Sequence, residues 1–495
     1  MVRISTGVAG LDDILGGGFP QGHLYLVDGN PGTGKTTLGM QFLREGAARG
    51  EAVLYVTLSE SERELREVAQ THGWDLKGID IFQLLPMEDS LKREEQYTVF
   101  YPEEVELSET LKAVLERFED TRPKRVVFDS LSELRLLSRE SLRFRRQLLA
   151  LKQYFGERNS TVLMLDDRTA ESESRDILSI AHGAVRLENL TREYGTKRRR
   201  LEVLKMRGVQ FREGYHDYNI RPGGLEVYPR LVAAKQSAGF DGGNLASGIP
   251  ELDALLGGGL ARGTSTLLMG PAGAGKSTIA LHYAAAETAR GGDAYIVTFD
   301  ENLSAAVERA DGLGLEIRPS LASGKLALEG MDPAELSPGN LLNRICDRVR
   351  NGTRLLIIDS LNGLLAAMPG EEHLTIQLHE LLAYLSNCGV TTILVMAQYG
   401  ILGQGMTSPV DVSYLADTIM LLRYFESEGM VRQAISVVKK RNGLHERTIR
   451  ELKLGPGVRV GPPLAEFHGV LTGVPTYRGG EAPLLKGAHG SGPHS

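Results

Sequence analysis

The stretch GNPGTGKTT, Gly29 to Thr37, has a near copy in GPAGAGKST, Gly270 to Thr278. Both fit GxxxxGK followed by Ser or Thr, the spacing of a loop that wraps phosphate oxygens. Its glycines let the backbone turn N–H groups inward, and a helix beginning at the lysine aims its positive end at the same anion. The first cradle is Gly29, Gly32, Thr33, Gly34, Lys35, Thr36 and Thr37, and the second is Gly270, Gly273, Ala274, Gly275, Lys276, Ser277 and Thr278. Lys35 and Lys276 are expected to neutralise the outer phosphates, and the hydroxyls of Thr36 and Ser277 to bind Mg²⁺. Two such loops in one chain raise the question of whether both work or one is a relic.

Repetition extends well beyond the loops. The offset between Lys35 and Lys276 also maps STGVAGLDDILGGGFPQG onto ASGIPELDALLGGGLARG, and LYVTLSE onto YIVTFDE. VVFDSLSEL (Val126 to Leu134) answers LIIDSLNGL at a shorter offset, so the first copy carries an insertion, placed in or near MEDSLKREEQYTVFYPEEVE. LEVLKMRG answers ISVVKKRN. So long a period indicates tandem domains, not a solenoid of short repeats.

Within each copy short apolar strands alternate with helical stretches: HLYLVDG, the helix from Lys35, AVLYVTL, a helix, VVFD, another helix and TVLMLDD. Such alternation predicts an α/β fold, a mainly parallel sheet flanked by helices on both faces. AVRLENL with KRRRLEVLKM then reads as a strand hairpin, as does TIMLLRYF with RQAISVVKK. The periodicity lapses in PRLVAAKQSAGFDGG, which places the domains at residues 1–236 and 240–474, and the Gly-, Pro- and Ser-rich end, 475–495, is expected to be a flexible tail.

Composition narrows the class. With 495 residues, 42% hydrophobic and 24% charged, the chain is neither disordered nor fibrous. A formal net charge of -7 argues against a surface built throughout to neutralise nucleic-acid phosphates. Cys346 and Cys388 are its only cysteines, in apolar helix-like settings, so they read as buried free thiols and exclude a disulfide framework or zinc cluster. MVRISTGVAGLDD lacks the features of an export signal, and no apolar run reaches the roughly 18 residues of a membrane span. A cytoplasmic protein without membrane contact is expected.

Asp129 and Asp359 each end an apolar strand, where an acid can hold a metal-bound water at the carboxyl edge of a parallel sheet. Glu60 and Glu301 follow a different strand, the one after the loop helix, where a carboxylate could polarise an attacking water. That placement is the habit of RecA-like enzymes, and from Ile4 to about Val474 the chain resembles the KaiC family. The resemblance is carried by LDDILGGGFPQG, the carboxylates after the second strand, FDSLSEL and IDSLNGL, KMRG and KKRN, and DTIMLLRYFE.

This resemblance implies tandem duplicated RecA-like P-loop NTPase domains using ATP and Mg²⁺. It also implies a homo-hexameric double ring with ATP between subunits, and serine/threonine autokinase activity in the second domain, all serving a signalling or timing switch. By the same resemblance Glu60, Asp300 and Glu301 are catalytic, and Lys205, Arg207, Lys439, Arg441 and His445 contact the adjacent subunit's ATP. Thr36, Ser277, Asp129, Asp359 and Glu301 would hold Mg²⁺, partly through water, and Ser413 would be the phosphoacceptor. KaiB-like proteins or members of a histidine-kinase pathway are the implied partners. The chain departs from the family in two places. Paired glutamates become Ser59–Glu60 and Asp300–Glu301, and two adjacent phosphoacceptors become Ser413 and Tyr414, leaving a single serine. Ser179 is its match in the first copy.

A RecA- or RadA-like recombinase or a hexameric helicase is the main alternative, and it would use the basic runs Arg143, Arg145, Arg146 and Lys197 to Arg200. No separate DNA-binding module and no basic loop interleaved with aromatics accompanies them, so they read as solvated helix and hairpin faces and nucleic acid is not an expected partner. A noncatalytic scaffold assembled by ATP is a second alternative, against which Glu60 and Glu301 weigh.

Overall fold

The computed structural model describes residues 2–84, 102–138, 141–168, 174–191, 195–232, 242–299, 301–332, 334–366, 374–398, 414–455, 457–470 and 476–477. The chain divides into two compact units, Met1–Arg230 and Leu231–Ser495. Each is built on a nine-stranded sheet, and the two sheets share one strand order.

In the first unit that order runs Gly224–Tyr228, Tyr215–Arg221, Arg198–Met206, Gly183–Leu190, Leu24–Gly29, Thr161–Asp167, Arg125–Asp129, Val53–Thr57, Asp80–Gln83. The six strands from Gly183–Leu190 to Asp80–Gln83 are parallel, and the first three are antiparallel. Parallel strands covered on both faces are apolar along most of their length, and LYLVDG is buried throughout, its one acid, Asp28, paired with Arg186. Alternate residues then serve separate cores. Tyr25 and Val27 pack with Leu38 and Phe42 of the helix Lys35–Ala48, whereas Leu24 and Leu26 pack with Phe118 and Leu148 on the other face.

The second unit repeats this, with Ser265–Gly270 between Thr391–Ala397 and Thr418–Ser427 at the centre. Both hairpins expected from sequence form, Gly183–Leu190 with Arg198–Met206 and Thr418–Ser427 with Met430–Lys440. Two further strands beyond each hairpin were not foreseen.

One sequence expectation, the burial of Cys388, needs adjustment, and two segments singled out in the sequence are placed in part. Thr476–Tyr477, placed in the flexible tail, pairs with Phe467–His468, while residues 478–495 lie outside the described residues. Cys346 is buried, but Cys388 is only half-buried, because it follows the end of the helix Leu374–Asn387 and sits at the edge of the core. Most of the acidic insertion lies outside the described residues, and its last part begins the helix Pro102–Thr121. Among the described residues no helix is long and apolar enough to cross a membrane.

Arg125 starts one of the parallel strands and is 1% exposed. Its guanidinium donates to Glu51 Oε2 at 2.6 Å, to Ser5 O at 2.7 Å and to Phe42 O at 3.0 Å. It therefore ties the chain start, the loop helix and the sheet together. Arg125→Ala leaves these acceptors without a donor and should destabilise the first unit by about 3 kcal/mol. Hydrogen exchange resolved by unit checks this, with faster exchange expected in Met1–Arg230 and no change in Leu231–Ser495.

Candidate nucleotide-binding sites

The first loop joins the buried strand Leu24–Gly29 to the helix Lys35–Ala48. Gly34 caps that helix at φ 93°, a conformation that costs a residue with Cβ, and a Cβ there would also meet Ile220 Cδ1 at 2.8 Å. The unforeseen outer strand thus supports the loop, and Tyr218 on the same strand donates to Thr33 O at 2.6 Å. In the second unit Tyr424 donates to Ala272 O at 3.0 Å.

Around the first loop the expected groups come together. Thr36 Oγ1 donates to Asp129 Oδ2 at 2.8 Å, so the hydroxyl and carboxylate chosen for magnesium are in contact. Tyr55 donates to the same oxygen at 2.6 Å, a partner the sequence reading missed. Burial pushes the Asp129 carboxyl up, opposed by these two hydrogen bonds and by Lys35. Lys35 Nζ donates to Gly29 O at 2.9 Å and Asn30 O at 3.1 Å and pairs with Asp167 at 2.7 Å. Asp167, also missed, ends the strand Thr161–Asp167 directly opposite Gly29.

Glu60 is held between a strand end and a helix start. Thr57 Oγ1 bonds both the N–H and the carbonyl of Glu60, and Ser61 caps the helix Glu62–Thr71 in a capping box with Glu64. Glu60 Oε2 is buried and without a hydrogen-bond partner among the described residues. Burial, with the charges of Asp129, Glu64 and Asp167, raises its carboxyl above the usual range. An unpartnered, proton-hungry carboxylate beside the phosphate loop has the properties of a general base.

The second site has the same skeleton with different surroundings. Ser277, Thr298, Glu301 and Asp359 line one small cleft, together with Ile296 and Arg309. Glu301 is paired with Arg309 at 2.6 Å, whereas among the described residues Glu60 has no such cation. Lys276 Nζ donates to Pro271 O at 2.7 Å, and burial lowers its pKa, opposed by Asp359. Asp129 and Asp359 are each followed by a cis peptide bond. Asp300 and Ser413 lie outside the described residues.

The structure places the remaining candidates at the opposite edge of each sheet. Lys205 sits opposite Ala184, near the start of the strand whose later residue Leu187 flanks Gly29. Lys439 occupies the corresponding place opposite Ile419. On the order of 10 Å of strand therefore separates these lysines from the loop end of their own sheet. Lys205 donates to Leu178 O, Arg207 to Ser179 O at 2.8 Å, and Arg441 to Tyr414 O at 3.2 Å and Asp417 at 3.3 Å. His445 is half-buried nearby in sequence.

The residues fit ATP and magnesium. The contact between Thr36 and Asp129 is the pairing through which a P-loop holds the ion, and each loop ends on a left-handed glycine at the start of a helix. Among the described residues no group of three or more His, Cys, Asp or Glu is arranged to hold a metal. Magnesium that draws most ligands from phosphate and water needs no such cage.

Two phosphate loops on matching parallel sheets, each with a strand-end aspartate and a glutamate one strand over, define tandem P-loop ATPase domains of RecA-like fold. A family model described as "ATPase: KaiC" matches residues 4–232 and again 245–464, and the chain belongs to the KaiC family. It is 25% identical to the circadian clock protein KaiC3 of Synechocystis sp. over 96% of this chain and 95% of that protein. It is 27% identical to the circadian clock oscillator protein KaiC of Parathermosynechococcus lividus, over 95% and 87%, and 26% identical to that of Synechococcus elongatus, over 96% and 92%.

The raised Glu60 carboxyl carries a stability signature. The folded chain binds this proton more tightly than the unfolded chain, so stability falls as pH rises from the ordinary carboxylate value through the raised one. Glu60→Gln should therefore raise the melting temperature of the first unit at about pH 7.5, with the gain shrinking towards about pH 4. Thermal unfolding across pH checks this.

Proposed function

We propose that this chain is a hexameric, two-site ATPase whose second domain phosphorylates its own Ser413, acting as a cytoplasmic signalling or timing switch. The observation that carries the first part is the direct contact of Thr36 with Asp129, beneath a loop whose lysine, hydroxyl, aspartate and glutamate are all kept in the second copy. Magnesium held through Thr36 or Ser277, and through water by Asp129, Asp359 and Glu301, would offset the charge on the transferring phosphate. Glu60 would take the proton of the attacking water in the first site, and Glu301, or Asp300 beside it, would serve the second.

The position of the cations supports assembly. Lys205, Arg207, Lys439 and Arg441 lie at the edge of the sheet away from their own loop, so in this reading they reach nucleotide, with His445, only on a neighbouring subunit. Heterologous contacts that close make rings, and cations given in trans couple hydrolysis to the ring. The segment after Ser413 belongs to that same edge. Asp417 accepts from the Ser265 N–H and hydroxyl, each at 3.0 Å, and Arg441 ties both Asp417 and Tyr414. Ser413 Oγ would then attack the γ-phosphorus of the neighbour's ATP, with ADP leaving and the serine proton passing to Glu301. An aspartate is one methylene shorter than the family's glutamate, which makes Asp300 the weaker base. KaiB-like or histidine-kinase-pathway proteins are the partners this reading suggests.

A DNA-dependent motor is disfavoured by the fate of the hairpin cations. Arg198 pairs with Asp217 at 3.0 Å and Arg200 with Glu188 at 2.8 Å, so two of the four cations of that run are neutralised within the chain.

With both sites competent, Lys35→Ala and Lys276→Ala should each remove about half of the bound nucleotide, and the chain should elute as a hexamer with ATP. Unchanged nucleotide content in one variant would assign all binding to the other loop.

Autophosphorylation is tested with γ-labelled ATP and Mg²⁺, mapping the modified residue by mass spectrometry. Label on Ser413 that is lost in Ser413→Ala and in Glu301→Gln is the expected result. Hydrolysis without phosphoprotein would leave an ATPase without kinase activity.

A further inference from the structure

The two phosphate loops differ in what their lysines touch, and the difference traces to one residue. An ammonium group has three N–H donors. Those of Lys35 are met by Gly29 O at 2.9 Å, Asn30 O at 3.1 Å and Asp167 Oδ1 at 2.7 Å. Strand register makes the last contact, since Asp167 stands opposite Gly29, and the Asp167 N–H is fixed in turn by Ser132 Oγ at 3.2 Å. Two other acids at this edge have their own cations. Asp166 pairs with Arg135 at 2.7 Å and Asp28 with Arg186 at 2.9 Å. Among the described residues, Lys35 is the cation that Asp167 pairs with.

In the second sheet Gly270 stands opposite Ala397. The methyl group there offers no charge, and Lys276 keeps only the contact to Pro271 O among the described residues.

We infer that Asp167 is a positioning residue that competes with the nucleotide for Lys35, so that the first site holds ATP less tightly than its loop alone would. This rests on the reading that the first loop binds ATP. A phosphate arriving at Gly29–Thr36 must share or displace an anion already paired with the one lysine of the loop, and among the described residues no acid is paired with Lys276. The duplicated sites are thereby set apart in affinity with every residue of the phosphate-binding motif intact. Asp167 touches neither the loop hydroxyl nor the strand-end aspartate in a hydrogen bond, so its effect is exerted through Lys35.

Substitution at a merely structural position loosens binding, whereas removal of a competitor tightens it, and this difference in sign is the test. In the full chain carrying Lys276→Ala, titration with a fluorescent ATP analogue and Mg²⁺ reports the first site. Adding Asp167→Asn, which keeps the shape and removes the charge, should tighten binding about two- to fivefold, the range expected for a partly exposed ion pair. Conversely, Ala397→Asp in a Lys35→Ala chain should weaken the second site by a similar factor, and it decides the matter where Asp167→Asn fails to fold. Unchanged or weaker binding in Asp167→Asn, with the parent chain binding normally, overturns this inference alone. A parent chain that binds no analogue overturns the assignment of ATP to the first loop, and the inference with it.

Discussion

Six parallel strands in each unit end along one edge of the sheet, and each active group is delivered there by the end of a strand or the start of the following helix. The Thr36–Asp129 hydrogen bond joins two such deliveries, a helix start and a strand end separated by one intervening strand. Register does the rest, because parallel neighbours fix which residues finish side by side. Gly29 meets Asp167, and Thr57 meets Asp129. An antiparallel hairpin obeys the same constraint in reverse. Its return strand carries Lys205 or Lys439 back to the opposite edge. These two lysines thus lie away from the phosphate loop of their own sheet, and the proposed sharing of the chemistry between subunits rests on that separation.

Much of this was legible in the sequence because the loop, the strand-end aspartates and the hairpin are encoded locally. A glycine at φ 93° before Lys35 and an apolar run ending in Asp129 are features of a few consecutive residues. Tyr55, Asp167 and Arg309 were not legible, since their roles depend on which strands or turns lie beside them. Tyr55 looks like any core residue of AVLYVTL until the neighbouring strand brings Asp129 to its hydroxyl. The outer strands Tyr215–Arg221 and Gly224–Tyr228 escaped for a related reason. Their sequence, with His216, Asp217 and Arg221, has little apolar alternation, and they are held by register with the hairpin and by Tyr218 reaching Thr33.

The duplication also shows which parts of such a site can vary. Backbone placement is kept, since both loops cap their helices with a left-handed glycine and both metal-strand aspartates occupy the same rung. Charge is redistributed around that skeleton. Tyr55, which steadies Asp129, has Ile296 in its place, and Ile296 lines the cleft beside Asp359. The acids Asp28, Asp166 and Asp167, with the arginines that balance two of them, give way to Met269, Met396 and Ala397.

The glutamates show the same exchange from the other side. Arg309 stands at the seventh residue of the helix Leu303–Gly312, where the helix Glu62–Thr71 has Val68. The guanidinium holds one oxygen of Glu301 at 2.6 Å, whereas Glu60 Oε2 is buried without a partner among the described residues. A carboxylate has two oxygens, so Glu301 can be oriented through one and still accept a proton on the other. Glu60, lacking that anchor among the described residues, is less firmly aimed. In the first site an extra charge acts on the lysine of the loop, and in the second on the glutamate proposed to take a proton. Each copy has changed a neighbour of one working group and left the group itself in place, which is how two sites with one motif can come to differ in binding and in turnover.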